Sequence, residues 1–441
     1  MKIEELSKIL KENGVVGAGG AGFPTYGKLS DKADTILLNC AECEPLLKLH
    51  RQLLAAHAFE ILKAFALIAE TLNVNEAIIG VKSEYKEAIE ALHEYLPQFP
   101  IVKIHELPNQ YPMGDEVVLI YEATGRVVRP GGLPIECGVA VFNVETAYNV
   151  YRAVFENHPV MDKLVTIAGE VENPITVRVP IGMKLSEVVK MAGKITCEDP
   201  VYLIGGPMMG GFQPSFNPVT KTTSAIIVLP KDHTLVMRKT TKFVTNVARS
   251  ASSCCQCQTC TDLCPRNALG HPIEPHMFMR AAANKDYKNL DAFVNTAFCC
   301  SCGLCELYSC PQGLSPRSMM AEFKDELRKN GVKPPVVDAD EVKSSRSYRK
   351  VPETRLIGRL GLGKYDKKAP LDDNLRVANK VKINLSQHIG APTTAVVLVG
   401  DVVKAGDIVG KAADGLSVNI HSSIDGKVIN VSDRFIEIER M

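Results

Sequence analysis

The chain reads CCQCQTCTDLCP from 254 to 265 and CCSCGLCELYSCP from 299 to 311. These two blocks contain ten of the fourteen cysteines. The first block contains the run C-x2-C-x2-C-x3-C-P, and the second contains C-x2-C-x2-C-x4-C-P, which is one residue longer before its last cysteine. The repeated triplet of cysteines followed by a remote Cys-Pro is the pattern of bacterial ferredoxins.

This spacing suits two [4Fe–4S] clusters. Three cysteines spaced two residues apart can hold three corners of one cube, and in two-cluster ferredoxins the fourth cysteine of each run ligates the other cube. Zinc explains the pattern less well, because a zinc ion takes four ligands and has no use for a closely spaced triplet followed by a remote Cys-Pro. We therefore predict crossed ligation, with the two ligand sets Cys254, Cys257, Cys260 and Cys310, and Cys299, Cys302, Cys305 and Cys264.

Two further cysteines, Cys255 and Cys300, each follow the first cysteine of a block. We expect them to pack against the cubes as small buried residues. On spacing alone, a register in which they replace Cys254 or Cys299 as ligands stays open.

Length and composition indicate a multidomain globular protein. A chain of 441 residues suggests roughly three domains, and 46% hydrophobic and 23% charged residues are ordinary values. The net charge of +1 gives no reason to expect nucleic acid or an anionic membrane as a partner. Cluster cysteines imply a reducing compartment, and the N-terminus lacks a signal-peptide layout. No apolar run approaches roughly eighteen residues, so we expect a cytoplasmic protein without a membrane span.

Helical and strand patterns alternate in the first part of the chain. Helical spacing over 3–13, 53–72 and 84–96 alternates with short apolar runs at 35–38, 77–81 and 101–104. This order predicts an open, largely parallel, Rossmann-like α/β sheet within residues 1–160. A glycine-rich loop follows the first helix, and its backbone can approach a phosphate or a flat ring closely.

Four motifs then follow one another: GAGGAGFPT at 17–25, NCAECEP at 39–45, YPMGDE at 111–116 and NVET at 143–146. In this order they resemble the flavin- and NADH-binding subunit of respiratory complex I. They are still more similar to the family of the Rnf complex C subunit and the cobalamin reductase of propanediol-utilisation microcompartments. The resemblance implies that residues 1–160 form an FMN- and NADH-binding domain.

The resemblance also assigns binding residues by their match to the family motifs. The chain departs from complex I at Ala18, where complex I has arginine, and at Ala41, where it has aspartate, and both changes remove polar contacts to the flavin. Candidate NADH contacts are Phe23, Glu44, Tyr111 and Glu116. Candidate FMN contacts are Gly17, Gly19, Gly20, Lys28, Asn39, Glu42, Gly114, Asn143 and Thr146.

The remaining residues are expected to form three further domains and a linker. Residues 163–232, with the turn GGPMMG at 205–210, resemble the β-grasp (SLBB) module of the same relatives. Residues 240–330 resemble an α-helical ferredoxin with two [4Fe–4S] clusters, and residues 331–376 are predicted to be a linker that packs along the surface. Residues 377–441 resemble a lipoyl-type barrel-sandwich hybrid without the carrier lysine. This module is N-terminal in the Rnf protein, so its C-terminal position favours the cobalamin-reductase arrangement.

The combined prediction is an NADH-dependent oxidoreductase without catalytic side chains, because the redox chemistry belongs to the cofactors. FMN would take both electrons of a hydride, and the two clusters would carry them singly to a redox partner. The resemblance suggests a corrinoid, cob(II)alamin, as the acceptor, and a location in the cytoplasm, in a microcompartment or beside a membrane complex. Two alternatives are the electron-input subunit of an Rnf-like or other anaerobic reductase complex, and a non-catalytic electron-transfer adaptor.

Overall fold

A computed structural model describes all 441 residues. Its N-terminal part is an α/β unit with helices on both faces of a four-stranded sheet. The elements are α1 (Ile3–Glu12), β1 (Thr35–Cys40), α2 (Leu49–Ala56), α3 (Ala58–Leu72), β2 (Glu76–Lys82), α4 (Lys86–Tyr95), β3 (Val102–Leu107), β4 (Gln110–Tyr111), α5 (Glu116–Thr124), β5 (Val139–Asn143) and α6 (Val144–Phe155).

The strand order of this sheet creates a point at which a ligand can bind. The order is β3-β2-β1-β5, and all neighbouring strands are parallel. The chain moves outward from β1 to β3 and then returns to the other side of β1, so the direction of winding reverses between β1 and β5. Open α/β sheets bind ligands beyond the carboxyl ends of their strands at such a reversal. Asn39 near the end of β1 and Asn143 at the end of β5 flank it.

The helix predicted over 53–72 is instead two helices. At His57 the backbone leaves the helical region (φ −133°, ψ 39°), and the His57 ring lies 2.7 Å from Asp373 Oδ2. The axes of α2 and α3 meet at 93°. By length and composition, no single helix of the chain could cross a membrane, and only this bent pair taken together passes the same test.

A second unit follows, built on a mostly antiparallel sheet. Its elements are β6 (Asp162–Gly169), β7 (Ile175–Pro180), α7 (Leu185–Val189), β8 (Pro200–Ile204), β9 (Gly211–Gln213) and β10 (Ala225–Pro230).

The cysteine blocks lie in a helical unit with a small aromatic core. The rings of Phe278, Phe293 and Phe323 pack with centroids 5.2–6.0 Å apart. A single π-helical turn, Leu304–Tyr308, contains Cys305, the last cysteine of the second triplet. The α-helices are α8 (Thr234–Lys239), α9 (Phe243–Ser253), α10 (Thr259–Asp262), α11 (Pro265–Ala268), α12 (Pro275–Asn284), α13 (Leu290–Val294) and α14 (Pro316–Lys329).

Part of the segment predicted as a linker lies in the core rather than along the surface. Strand β11 (Val351–Pro352) pairs antiparallel with β4, and β12 (Leu371–Leu375) pairs parallel with β7. Between them, α15 (Glu353–Arg359) buries Leu356 completely. Leu356 belongs to an apolar cluster that also contains residues of the α/β unit, the second unit and the second cysteine block. The segment therefore joins three units at one junction.

The C-terminal residues form two small sheets, ordered β13-β19-β18-β15 and β14-β16-β17. The turn at 422–426, where a carrier lysine would stand, is packed inside the molecule: Ser422 is fully buried, and Ser423 Oγ donates to the Ile181 carbonyl at 2.6 Å. The strands are β13 (Lys380–Asn384), β14 (Thr394–Ala395), β15 (Val402–Val403), β16 (Ile408–Lys411), β17 (Ile420–His421), β18 (Gly426–Val431) and β19 (Phe435–Glu439).

The C-terminal unit covers the glycine-rich loop of the N-terminal unit. Ile389 N donates to the Gly22 carbonyl at 3.3 Å. The Tyr26 hydroxyl donates to the Gly415 carbonyl at 3.1 Å. A Cβ on Gly22 would lie 2.9 Å from the Gln387 carbonyl oxygen, so the two segments pack without room for a side chain.

Candidate cofactor sites

Two cavities open among the helices that carry the cysteine blocks. We call them the inner cavity and the outer cavity. The inner cavity is lined by Cys264, Cys299, Cys300, Cys302 and Cys305. The outer cavity is lined by Cys254, Cys255, Cys257, Cys260 and Cys310. The structure thus brings Cys264 to the second block and Cys310 to the first, and the assignment of four ligands among the five cysteines of each cavity stays a prediction.

Left-handed backbone positions turn the cysteine loops around the cavities. Gln256 and Gln258 in the first block have φ values of 54° and 65°, and Ser301 and Gly303 in the second have 59° and 80°. Such conformations cost a non-glycine residue about 1–2 kcal/mol and cluster at ligand sites.

The donor set around each cavity fits an iron–sulfur cube. Backbone N–H groups already face ligand sulfurs, since Ser301 N donates to Cys299 Sγ and Leu314 N donates to Cys310 Sγ, both at 3.3 Å. Hydrogen bonds to sulfur are a regular feature of such sites. No three His, Cys, Asp or Glu side chains converge on a single-ion site anywhere in the chain.

The two cavities differ in burial. Cys264, Cys302 and Cys305 of the inner cavity are buried, whereas Cys255 and Cys257 of the outer cavity are exposed. Burial raises the pKa of the Cys264 thiol to about 12. Metal binding to such a thiol must therefore release a proton.

A candidate flavin site lies where β1 and β5 diverge. The glycine-rich loop packs over the start of α6: Ala18 N donates to Thr146 Oγ1 at 3.0 Å, and a Cβ on Gly19 would lie 3.0 Å from Asn143 Nδ2. On the other side of the divergence, Asn39 Nδ2 donates to the Gly114 carbonyl at 2.8 Å. Five of the predicted flavin residues are thus assembled at one edge of the sheet.

Three glycines of this edge have different surroundings. A Cβ on Gly114 would lie 2.2 Å from the Ala41 carbonyl oxygen, so this glycine allows two loops to touch. A Cβ on Gly20 would meet nothing within 4 Å, and Gly20 has a φ of +90°. Gly20 therefore borders open space in a conformation that favours glycine. Gly17 closes the base of the loop, where its N–H donates to the Phe23 carbonyl at 2.8 Å.

Buried polar atoms without a partner lie beside this edge. Glu42 Oε2 accepts a hydrogen bond from His50 N at 3.2 Å, while Glu42 Oε1 and His50 Nδ1 have no partner. Burial raises the pKa of Glu42 to about 7, and burial lowers the pKa of His50 to about 4. Unpaired buried polar groups are costly, so both atoms suit a ligand with hydrogen-bonding groups. With the open space at Gly20, these features fit FMN.

Lys28 and Glu116 meet on the α5 side of the same edge. Lys28 Nζ donates to the Val141 carbonyl at 2.8 Å and lies 3.4 Å from Glu116 Oε1. Both side chains are partly exposed. The ring of Phe23 covers Gly27 instead of projecting freely, since a Cβ on Gly27 would lie 2.9 Å from Phe23 Cε1.

The structure gives Glu44 and Tyr111 contacts that differ from the predicted NADH contacts. The Glu44 carboxylate accepts hydrogen bonds from Met208 N at 2.8 Å and Met209 N at 2.7 Å, in the turn of the second unit. The buried Tyr111 hydroxyl donates to the Cys302 carbonyl at 2.6 Å. The polar groups of both side chains therefore make contacts between units, and their assignment as NADH contacts stays a prediction.

The comparison of the whole chain with known proteins decides its family. It is 41% identical over 444 residues to cobalamin reductase PduS of Salmonella typhimurium (strain LT2), covering 100% of this chain and 97% of that protein. The chain belongs to the PduS family. A PduS of Citrobacter freundii is likewise 41% identical, over 97% of this chain and 94% of that protein.

Family models also match the four units. They are the Nuo51 FMN-binding domain at 10–152, the SLBB domain at 164–211, the 4Fe-4S dicluster domain at 253–315 and the RnfC barrel sandwich hybrid domain at 364–441. The predicted fold class is therefore confirmed. This member of the PduS family is an oxidoreductase, an iron–sulfur flavoprotein with a role in electron transfer.

Two further likenesses are partial. The C subunit of the Na(+)-translocating ferredoxin:NAD(+) oxidoreductase complex of Acetobacterium woodii is 32% identical over 271 residues, which are 60% of this chain and 58% of that protein. The crystal structure of an NAD+-reducing [NiFe]-hydrogenase in the air-oxidized state superposes with a TM-score of 0.50 and 19% identity, over 83% of this chain and 68% of that chain. The second likeness concerns the fold alone.

Proposed function

We propose that this PduS-family protein oxidises NADH and delivers the electrons singly, through two [4Fe–4S] clusters, to a corrinoid. In the balanced reaction one NADH loses a hydride and becomes NAD+, two cob(II)alamin molecules each gain one electron, and one proton is released. When bound, FMN supplies the conversion between two-electron and one-electron transfer, and the clusters supply one-electron carriage. The protein supplies positions, burial and charge.

The observation that carries this proposal is the direct connection between the flavin edge and the inner cavity. Gly114 contacts Asn39 and Ala41 at the flavin edge. Three residues earlier in the chain, Tyr111 donates its hydrogen bond to Cys302, which lines the inner cavity. One short segment therefore spans the distance between the two candidate cofactor sites.

Particular residues would hold the flavin. The glycine-rich loop leaves open space at Gly20, and Thr146 fixes the loop through the Ala18 N–H. Asn143 caps α6, its Oδ1 accepting a hydrogen bond from Glu145 N at 2.9 Å. The N-terminus of this twelve-residue helix favours a phosphate group, because backbone N–H groups and the helix dipole point toward it. Asn39 and Glu42 would face the ring side.

NADH would approach the flavin edge from the exposed side. Glu116 and Lys28 are the partly exposed members of the predicted set there, and we propose Glu116 as a contact to the nucleotide. Phe23 stays a candidate through its position on the glycine-rich loop. No side chain needs to act as a general acid or base, since a hydride passes directly between ring systems.

The outer cavity would be the exit for electrons. Its cysteines Cys255 and Cys257 are exposed, whereas the inner cavity is enclosed at the junction of three units. An acceptor can approach an exposed site closely without a conformational change. The choice of a corrinoid rests on the name of the relatives that match the whole chain, cobalamin reductase PduS.

A second candidate function is electron input into a larger redox complex. The likeness to the C subunit of the Acetobacterium woodii complex supports it, although that match covers 58% of that protein. In that case the partner at the outer cavity would be another protein instead of a corrinoid.

Anaerobic spectroscopy of the purified full chain tests the proposal. A flavin band and a broad cluster absorption that NADH bleaches, followed by reoxidation on adding cob(II)alamin, would support corrinoid reduction. Bleaching by NADH without reoxidation by cob(II)alamin would favour the larger complex. A flavin band that NADH does not bleach would refute NADH oxidation.

A further inference from the structure

A buried arginine distinguishes the two cysteine-lined cavities. The side chain of Arg266 is 12% exposed and lines the inner cavity with Cys264, Cys300 and Cys302. Arg317 lines the same cavity. The outer cavity has no lysine or arginine in its lining, and its polar side chains besides the thiols are Gln256, Gln258, His276 and Gln312.

Only part of the Arg266 guanidinium is paired. Its Nη2 donates to Asp115 Oδ2 at 3.0 Å. Its Nη1 is buried and has no hydrogen-bond partner. The ionisable groups near Arg266 include Asp115, His271 and the thiols of Cys300 and Cys302. An unpaired charged donor in a buried position is strongly unfavourable. We therefore expect Nη1 of Arg266 to donate a hydrogen bond to an acceptor in the cavity.

Asp115 of the α/β unit fixes the orientation of the Arg266 side chain. Asp115 is the N-cap of α5, and its Oδ1 accepts hydrogen bonds from Val117 N and Val118 N, both at 3.1 Å. Its second oxygen then holds Arg266. The aspartate can hardly turn away without losing the cap, so the guanidinium keeps its orientation toward the cavity.

We propose that Arg266 donates a hydrogen bond from Nη1 to the cluster of the inner cavity, or to one of its ligand sulfurs, and thereby raises the reduction potential of that cluster. This inference rests on the proposed function, because it requires a cluster in the inner cavity. A positive charge and a hydrogen bond to sulfur both stabilise the reduced, more negative form of a cluster. Arg266 is a positioning residue that acts on the reduction potential of the inner cluster. A higher potential makes electron transfer from the flavin to this cluster more favourable.

Redox titration monitored by electron paramagnetic resonance tests the inference on the anaerobically purified full chain. The signals of the two clusters are first assigned with Cys302→Ser and Cys257→Ser variants. In Arg266→Gln, the midpoint potential of the inner cluster should shift to a more negative value while that of the outer cluster stays in place. Arg266→Lys keeps the charge but lacks the forked donor, so its shift should be smaller.

Arg249→Gln is the matched control. Arg249 is an arginine near the outer cavity, where its Nη2 donates to the Gln312 carbonyl at 3.4 Å, and it is exposed to solvent. This variant should leave the inner midpoint unchanged. An inner midpoint that stays at the wild-type value in Arg266→Gln, with the iron content of the wild type, would overturn the inference.

Two other results separate this inference from the proposed function. If Arg266→Gln loses the inner iron, Arg266→Lys decides: a negative shift of the inner midpoint supports the inference, and an unchanged midpoint overturns it. If the wild-type chain shows no cluster signal under reducing conditions and carries no iron after reconstitution, the proposed function itself fails.

Discussion

The inner and outer cavities arise from nearly the same run of cysteines but have different surroundings. The inner cavity lies at a junction where Tyr111 of the α/β unit, the Met208 turn of the second unit and Leu356 of the connecting segment share one apolar cluster with Cys302. The outer cavity is lined by the helical unit alone and exposes Cys257. The cysteine spacing thus determines where a cluster binds, whereas residues far away in sequence determine the burial and the neighbours of that cluster.

The largest expected effect separates the inner from the outer ligands. Cys302→Ser should reduce the iron content from about eight to about four atoms per chain and stop the NADH-driven reduction of the acceptor. Cys257→Ser should lose as much iron but still allow NADH to reduce the inner cluster, because the path from the flavin edge is intact. Iron analysis and stopped-flow spectra distinguish the two. Equal loss of inner-cluster reduction in both variants would contradict the order of transfer.

Crossed ligation is tested by the two remote cysteines. Cys264 lines the inner cavity and Cys310 the outer one, each away from its own block. Cys264→Ser should therefore alter the magnetic resonance signal that Cys302→Ser removes, and Cys310→Ser should alter the other. If Cys264→Ser changes the signal of its own block instead, each block is self-contained.

Burial should also separate the clusters by their rate of loss. Under air or with an iron chelator, the outer cluster should disappear several-fold faster than the inner one, because Cys255 and Cys257 are exposed while Cys264, Cys302 and Cys305 are buried. The decay of the two assigned signals over time measures this. Loss of both signals at one rate would show that the cavities open together.

A smaller effect is expected from Glu44, a carboxylate of the α/β unit that holds the Met208 turn of the second unit. Glu44→Gln weakens the hydrogen bonds to Met208 N and Met209 N, and we expect the free energy of unfolding to fall by about 1.5–3 kcal/mol. Because the Glu44 side chain is partly exposed, we expect the loss in free energy of unfolding to lie near the lower end of this range. Chemical denaturation measures it.

Glu116→Gln is the control for this carboxylate. It should leave stability nearly unchanged, since Glu116 is partly exposed, but it should weaken NADH binding. The opposite pattern, with NADH affinity lost only in Glu44→Gln, would support the nucleotide contact predicted for Glu44 and not the one proposed for Glu116.

The smallest effect should come from Tyr111→Phe. The change removes one hydroxyl and leaves the Cys302 carbonyl without its partner at 2.6 Å, which costs about 1 kcal/mol of stability. Electron transfer to the inner cluster should slow, while the outer cluster keeps its signal. Stopped-flow reduction by NADH measures the rate, and a rate equal to that of the unmodified chain would remove Tyr111 from the path.

Local spacing made much of this molecule predictable. Cysteine loops close over a few residues, so the run itself indicates which thiols gather, and the alternating helices and strands indicate the parallel sheet. The division of the long helix at His57 was not predictable from the pattern, because its apolar spacing continues through the break. The contact of His57 with Asp373 depends on residues over 300 positions away.

The candidate site was predictable only in part. Glu44 and Glu42 lie two residues apart in one motif, yet one holds a turn of another unit and the other lies at the flavin edge. The partner of a carboxylate depends on tertiary packing that no motif contains. Arg266 was missed, although a basic residue directly after a Cys-Pro ligand pair is a usable signal. The connecting segment looked like a linker because its charges concealed the apolar positions around Leu356.

The cover on the glycine-rich loop has a consequence for the order of biosynthesis. Gly22 and Tyr26 leave the ribosome long before Ile389 and Gly415, which contact them. Domains fold as units while synthesis proceeds from the N-terminus, so the flavin edge is formed long before it is covered. We expect a nascent chain to hold its flavin loosely and to retain it firmly only once the unit at 377–441 has been synthesised and closes over the loop.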